Sequence, residues 1–151
     1  MRMPRPEGVM IEQIEGGVTA PAGFRAAGVA CGIKRTGALD LALVVADAPA
    51  AAAGVFTTNK ALAAPVLVSR EHLARSGGRA RAVVVNSGCA NACTGPEGLA
   101  VARSSADFVA SIVGCASEQV LVASTGVIGV QLDLDRLRRG AGEAAKALSR
   151  A

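Results

Sequence analysis

Two apolar runs that stop abruptly at small residues constrain this chain most. Val83-Val-Val85 leads into Asn86-Ser-Gly88, and Val120-Leu-Val-Ala123 leads into Ser124-Thr-Gly126. Short runs of this kind, bounded by glycine and hydroxyl residues, read as buried strands of an α/β sheet. Thr125-Gly126 then places a hydroxyl and a backbone N–H side by side just past a strand's end. Glycine has no Cβ, so another group can approach that N–H closely. A paired donor suits an oxyanion developing in acyl transfer. The same two residues also read as a glycine turn leaving a strand, and spacing alone leaves both readings open. Asn86, Ser87, Asn91 and Thr94 form a second polar concentration. They read either as wall and support of a pocket facing Thr125 or as a polar turn whose side chains bond local backbone.

The 151 residues are 51% hydrophobic and 19% charged, which fits one domain with a real core. Aromatic residues make up only 2%, with no Trp or Tyr, so the core must be Ala, Val, Leu and Ile. The formal net charge of +4 is scattered, apart from a cluster at Arg136, Arg138 and Arg139 that reads as a solvated helix face. No aromatics interleave the basic residues, which argues against nucleic acid. Cys31, Cys89, Cys93 and Cys115 lie in Ala-rich surroundings with a single histidine, His72, in the chain. That pattern argues against a zinc or other metal site and reads as reduced, mostly buried thiols of a cytoplasmic protein. The N-terminal residues lack the apolar centre of a signal peptide, and the stretch from Leu39 to Phe56 is too broken to span a membrane.

Along the chain, Phe24 to Lys34 reads as a strand pair, Leu39 to Asp47 as an interior strand, and Ala51 to Thr57 and Ala63 to Ser69 as further strands. Ser69 is placed as the cap of a short helix over 70–76. Strands at Arg81 to Asn86 and Val120 to Ala123 alternate with helices over 99–113 and 132–149, the last interrupted at Gly140 or Gly142. One α/β (α+β) domain follows.

Several segments together resemble one family. They are Val18-Thr-Ala-Pro-Ala-Gly-Phe-Arg-Ala-Ala-Gly-Val29, Gly32-Ile-Lys34, Asp40-Leu-Ala-Leu-Val44, Ala51-Ala-Ala-Gly-Val-Phe-Thr57, Ala63-Ala-Pro-Val-Leu67, Val85-Asn-Ser-Gly88, Ala90-Asn-Ala-Cys-Thr-Gly95 and Ser124-Thr-Gly-Val-Ile-Gly129. In this order and spacing they are similar to the N-terminal part of the ornithine acetyltransferase family, the bifunctional glutamate N-acetyltransferases of arginine biosynthesis. The resemblance implies a four-layer α-β-β-α sandwich of the self-cleaving type, of which this chain is the N-terminal portion. It implies a leader or short first strand over 1–17 and an α-chain-like portion over 18–151 that stops before the nucleophilic threonine of the precursor.

The activity so implied is acetyl transfer from N2-acetyl-L-ornithine to L-glutamate, with no cofactor, although some members also accept acetyl-CoA. Thr125 and Gly126 would be the oxyanion hole, with Asn86, Ser87, Gly88, Asn91, Thr94 and Ser124 around them. The partner would be the β-chain, the C-terminal part of the same precursor, in αβ heterodimers that pair into a heterotetramer. The chain alone would then be inactive. Cys89 stands where members often carry Asn or Gly, which weakens a direct role for that position. Lys34 could bind a carboxylate or be a solvated lysine after a strand, and His72, in a surface-looking helix beside Glu71, reads as a structural or solvent-facing histidine. Two alternatives stay open: a non-catalytic assembly module, and a nucleotide-binding α/β domain, which lacks a phosphate-loop fingerprint.

Overall fold

The computed structural model describes residues 15–150. Residues 15–23 are turns and bends, and the rest of the segment expected to be a leader or first strand lies outside the described residues. The elements run β1 (Phe24–Val29), β2 (Leu41–Ala51), α1 (Ala64–Arg75), β3 (Arg79–Cys89), α2 (Gly95–Val113), a 3-10 turn (Ser117–Gln119), β4 (Val120–Val127) and α3 (Leu134–Ala147). They build one mixed sheet in the order β1-β2-β3-β4. β1, β2 and β3 pair antiparallel, whereas β4 runs parallel to β3. The parallel pair needs a crossover, and α2 supplies it. Helix α2 starts with a proline in its first turn, carries Glu97 near its positive end, and stops at the left-handed Gly114.

Alternation along the strands decides the layering. Leu41, Leu43 and Val45 of β2, Ala82 and Val84 of β3, and Val120 and Val122 of β4 are buried in one cluster with Val68 of α1, Ala106 and Val109 of α2, and Leu137 and Ala141 of α3. All three helices therefore pack on one face of the sheet. Burying a side chain such as Leu43 stabilises by roughly 2 kcal/mol. The alternate residues, including Ala42, Val44, Val83, Val85 and Ala123, are half-buried or exposed on the other face. A sheet with one covered and one bare apolar face is two of the four layers of an α-β-β-α sandwich.

Several expected elements differ. No strand forms over 52–57, because β2 already extends through Ala51 across a bulge between Val45 and Ala50 that accommodates Pro49. Residues 63–69 are not a strand. Pro65 occupies the first turn of α1, where its missing N–H costs nothing, and Ser69 lies inside that helix rather than at its cap. β1 ends at Val29 without a second strand after it. Helix α3 runs through Gly140 and Gly142, started by Asp133, whose carboxylate accepts from the N–H groups of Asp135 and Arg136. The four cysteines are free, but Cys93 is exposed and Cys115 half-buried.

Candidate functional site

The two polar concentrations meet where β3 and β4 run side by side. Asn86 is paired with Ser124, Ser87 with Thr125, and Gly88 with Gly126. Thr125 and Gly126 lie within β4, whose last residue is Val127, not beyond its end. The approach of the two strands there is unusually close. A Cβ on Gly126, which has φ +127°, would come within 2.4 Å of the Gly88 carbonyl carbon. No other residue fits that position.

The free edge of β4 is organised by α1. The Ser69 hydroxyl donates to the Val122 carbonyl at 2.7 Å and accepts from the Val122 N–H at 2.9 Å. His72 Nδ1 lies 2.8 Å from the Val120 carbonyl oxygen. Even-numbered residues of β4 thus direct their backbone groups away from β3. Odd-numbered ones face inward, and the Val127 carbonyl accepts from Ala90 N–H at 2.9 Å. By this alternation the Gly126 N–H belongs to the outer edge, beyond the part that α1 covers. Thr125 itself is exposed and shares the bare sheet face with Ser87.

The remaining polar residues divide. Asn86 is 1% exposed, and its amide donates to the Cys89 carbonyl at 2.9 Å, fixing the turn out of β3. Asn91 is fully buried at φ +47°; its amide donates to the Gly98 carbonyl at 2.9 Å, and its oxygen accepts from the Thr94 hydroxyl at 2.8 Å. Asn91 and Thr94 therefore fasten the loop to the start of α2 and bond locally. The loop is tied to β4 through its backbone, since Gly129 N–H donates to the Ala92 carbonyl at 2.9 Å.

One residue of this region escaped the sequence reading. Asp40 is 2% exposed, and its carboxylate accepts from the N–H groups of Cys31 at 2.7 Å and Lys34 at 2.8 Å. Burial pulls its pKa upward, but the hydrogen bonds from the Cys31 and Lys34 backbones and the Cys31 thiol outweigh it, and the pKa lies below the ordinary value. The Asp40 carbonyl also accepts from Ser87 N–H at 2.8 Å. Asp40 thus ties the loop after β1 to the strand that faces Thr125. The signal was present, an aspartate opening an apolar strand, but nothing local says that its carboxylate folds back. Burial, then the hydrogen bond and charge of Asp40, push the Cys31 thiol up to about 11, so it is not a nucleophile at neutral pH. Among the described residues no group of three or more His, Cys, Asp or Glu could hold a metal ion. None of the described helices is long and apolar enough to cross a membrane.

A family model for the ArgJ family matches residues 25–151. The chain belongs to the ArgJ family. It is 53% identical over 128 residues to the arginine biosynthesis bifunctional protein ArgJ of Thermosynechococcus vestitus, covering 85% of this chain and 30% of that protein. The ArgJ protein of Mycobacterium tuberculosis strain H37Rv is 55% identical over 130 residues, covering 82% and 32%. The chain therefore spans about a third of the length of the ArgJ proteins it matches. Among solved structures, the ornithine acetyltransferase of M. tuberculosis in complex with ornithine superposes with a TM-score of 0.85 at 50% identity, over 89% of this chain and 72% of that one. The ArgJ protein of Bacillus halodurans superposes with a TM-score of 0.81 at 41% identity, over 86% and 69%. The fold is that of the N-terminal portion of ornithine acetyltransferases, and the family is one of arginine-biosynthesis transferases.

Proposed function

We propose that this chain supplies the oxyanion-binding part of a site that transfers acetyl from N2-acetyl-L-ornithine to L-glutamate, with the nucleophilic threonine contributed by the C-terminal part of the same precursor. The observation that carries the reading is the pairing at the end of β4: an exposed Thr125 hydroxyl next to a Gly126 N–H on the strand's free edge. In the first step the threonine oxygen attacks the amide carbonyl. The carbonyl oxygen becomes an oxyanion and accepts hydrogen bonds from Thr125 and Gly126. Collapse breaks the C–N bond, ornithine's amine leaves with a proton, and an acetyl ester remains. The glutamate amine then attacks that ester through a second oxyanion in the same place, and the threonine is released. Ser87 and Gly88 hold the facing strand, Ser124 lies opposite Asn86, and Asn86, Asn91 and Thr94 fix the turn and loop behind it. The assembly fitting this reading is an αβ heterodimer paired into a heterotetramer. Acetyl-CoA is a second acetyl donor for it.

The test uses the complete protein, this chain together with its C-terminal remainder, and measures glutamate-dependent release of ornithine from N-acetyl-ornithine. Thr125→Ala is expected to lower kcat by about a hundredfold or more with KM little changed, the usual cost of an oxyanion donor. Thr125→Ser keeps the hydroxyl and should keep most of the rate. Wild-type turnover in Thr125→Ala would remove the assignment.

A further inference from the structure

We propose that one internal water binds between the ends of β3 and β4 and helix α2, held by Asn86, Ser105 and Ser124, and that it positions the Thr125 and Gly126 pair. The water site stands apart from the acetyl-transfer reading, and only its effect on rate rests on that reading. A single atom points to it. Asn86 is 1% exposed, yet its Oδ1 accepts no hydrogen bond among the described residues. Turning the amide over does not help. Its nitrogen donates to the Cys89 carbonyl at 2.9 Å, and an oxygen in that place would face another oxygen. A buried amide oxygen left without a donor is costly, and an ordered water is the common remedy.

Asn86 lines a cavity with about 10 Å³ of room for the centre of a water molecule, enough for one. Val84, Val122, Leu132 and Leu137, all buried, wall it. A purely apolar cavity of this size would stay dry, but Ser105 and Ser124 line this one too. Ser105 is 2% exposed, and its hydroxyl donates to the Val101 carbonyl of its own helix at 2.7 Å. Toward the cavity it therefore acts as an acceptor. Ser124 lies opposite Asn86 in the β3–β4 register, on the side of the sheet that the helices cover, and its hydroxyl has a proton to give. The acceptors Asn86 and Ser105 match the two protons of one water, and the Ser124 donor matches its oxygen. Asn91 also lines the cavity, but its amide is committed to the Gly98 carbonyl and its oxygen to the Thr94 hydroxyl.

The water joins the strand ends to the helix layer at the residues that flank the pair. Through its amide nitrogen, Asn86 closes the turn that carries Gly88, whose carbonyl carbon a Cβ on Gly126 would meet at 2.4 Å. Ser124 directly precedes Thr125 in β4. One water bonded to Asn86, Ser124 and Ser105 fixes both strands against α2. Ser105 is thereby a positioning residue that acts on Thr125 and Gly126 through the water.

The experiment uses the complete protein, this chain together with its C-terminal remainder. A high-resolution crystal structure should show one density peak in the cavity, about 2.7–3.2 Å from Asn86 Oδ1. No peak, or a protein donor on that oxygen, would overturn the proposal. Acetyl transfer is then compared in Ser105→Ala, Ser105→Thr and Ser111→Ala. Ser111 is the control, an exposed residue of the same helix whose hydroxyl makes a similar local bond, to the Phe108 carbonyl at 2.7 Å. Ser105→Ala takes an acceptor from the water and should lower kcat about tenfold with KM for both substrates little changed. Ser105→Thr keeps the hydroxyl and should keep most of kcat even where its added methyl lowers the unfolding midpoint. Ser111→Ala should turn over like wild type. Wild-type kcat in Ser105→Ala, or the same loss in Ser105→Thr or Ser111→Ala, would remove the positioning role. Because the density needs no turnover, a failure of acetyl transfer itself is distinguishable from a failure of the water site.

Discussion

Two single residues carry opposite kinds of burden in this fold. Thr125 is exposed, so Thr125→Ala should change unfolding free energy by less than about 0.5 kcal/mol, while the proposed oxyanion role puts kcat about a hundredfold lower. Gly126 is the reverse. Its φ of +127° and the 2.4 Å approach of a Cβ to the Gly88 carbonyl carbon leave Gly126→Ala both strained and overpacked. Each effect costs about 1–3 kcal/mol, so the variant should unfold at clearly lower urea, a shift read by circular dichroism. Asp40 ties stability to pH. Its pKa is lowered on folding, so its contribution is full above the ordinary carboxylate pKa and is lost as pH falls through the lower folded value. Asp40→Asn should therefore destabilise the protein at neutral pH, and the gap from wild type should narrow as pH falls below the ordinary carboxylate range. A gap that stays constant with pH would mean that the carboxylate is not held as a charge. Asp40 was not singled out in the sequence because its partners, the Cys31 and Lys34 backbones, are backbone groups, which sequence patterns do not display.

At the scale of elements, α1 holds the edge strand. An edge strand offers unpaired backbone groups, and here Ser69 and His72 satisfy those of Val120 and Val122. Ser69→Ala leaves the Val122 N–H and carbonyl without these partners in a buried setting, a cost of about 1–3 kcal/mol. Amide exchange in β4 should speed up selectively in that variant, whereas uniform loss of protection would show that α1 stabilises the fold as a whole. This coupling also explains which elements were legible. β3, α2 and β4 announce themselves by apolar runs with a glycine, proline or hydroxyl at their ends. Helix α1 does not. Its buried face is Ala64, Pro65, Val68, Ser69 and His72, two of them polar, so the apolar period is broken and Val66 and Val68 read as a strand. The polar members are buried because β4 needs partners, which is tertiary information. The candidate pair Thr125 and Gly126 was legible because it rests on two adjacent residue types. Its position inside β4 was not, since the strand stays beside β3 only because Gly126, with no Cβ, can sit against the Gly88 backbone.

At the scale of the whole molecule, the unbalanced feature is the sheet. One face carries three helices, and the other presents Ala42, Val44, Val83, Val85, Leu121 and Ala123 without an element over them among the described residues. Close by, Val127, Ile128 and Val130 are 58%, 65% and 51% exposed. Apolar area of this kind drives association in water. A polypeptide of these 151 residues expressed alone should therefore self-associate, eluting early and broadly from a sizing column. Co-expression with the C-terminal remainder should replace those species by one defined complex. A charge on the bare face separates this from general instability. Ala123 is exposed, so Ala123→Lys costs the lone chain little. The variant should be more soluble alone and should fail to capture the remainder, because a buried unpaired lysine is costly at a closed interface. If the lone chain were a cooperative monomer at high concentration, and if Ala123→Lys joined the remainder as well as wild type, the bare face would not be the surface on which the rest of the protein is built.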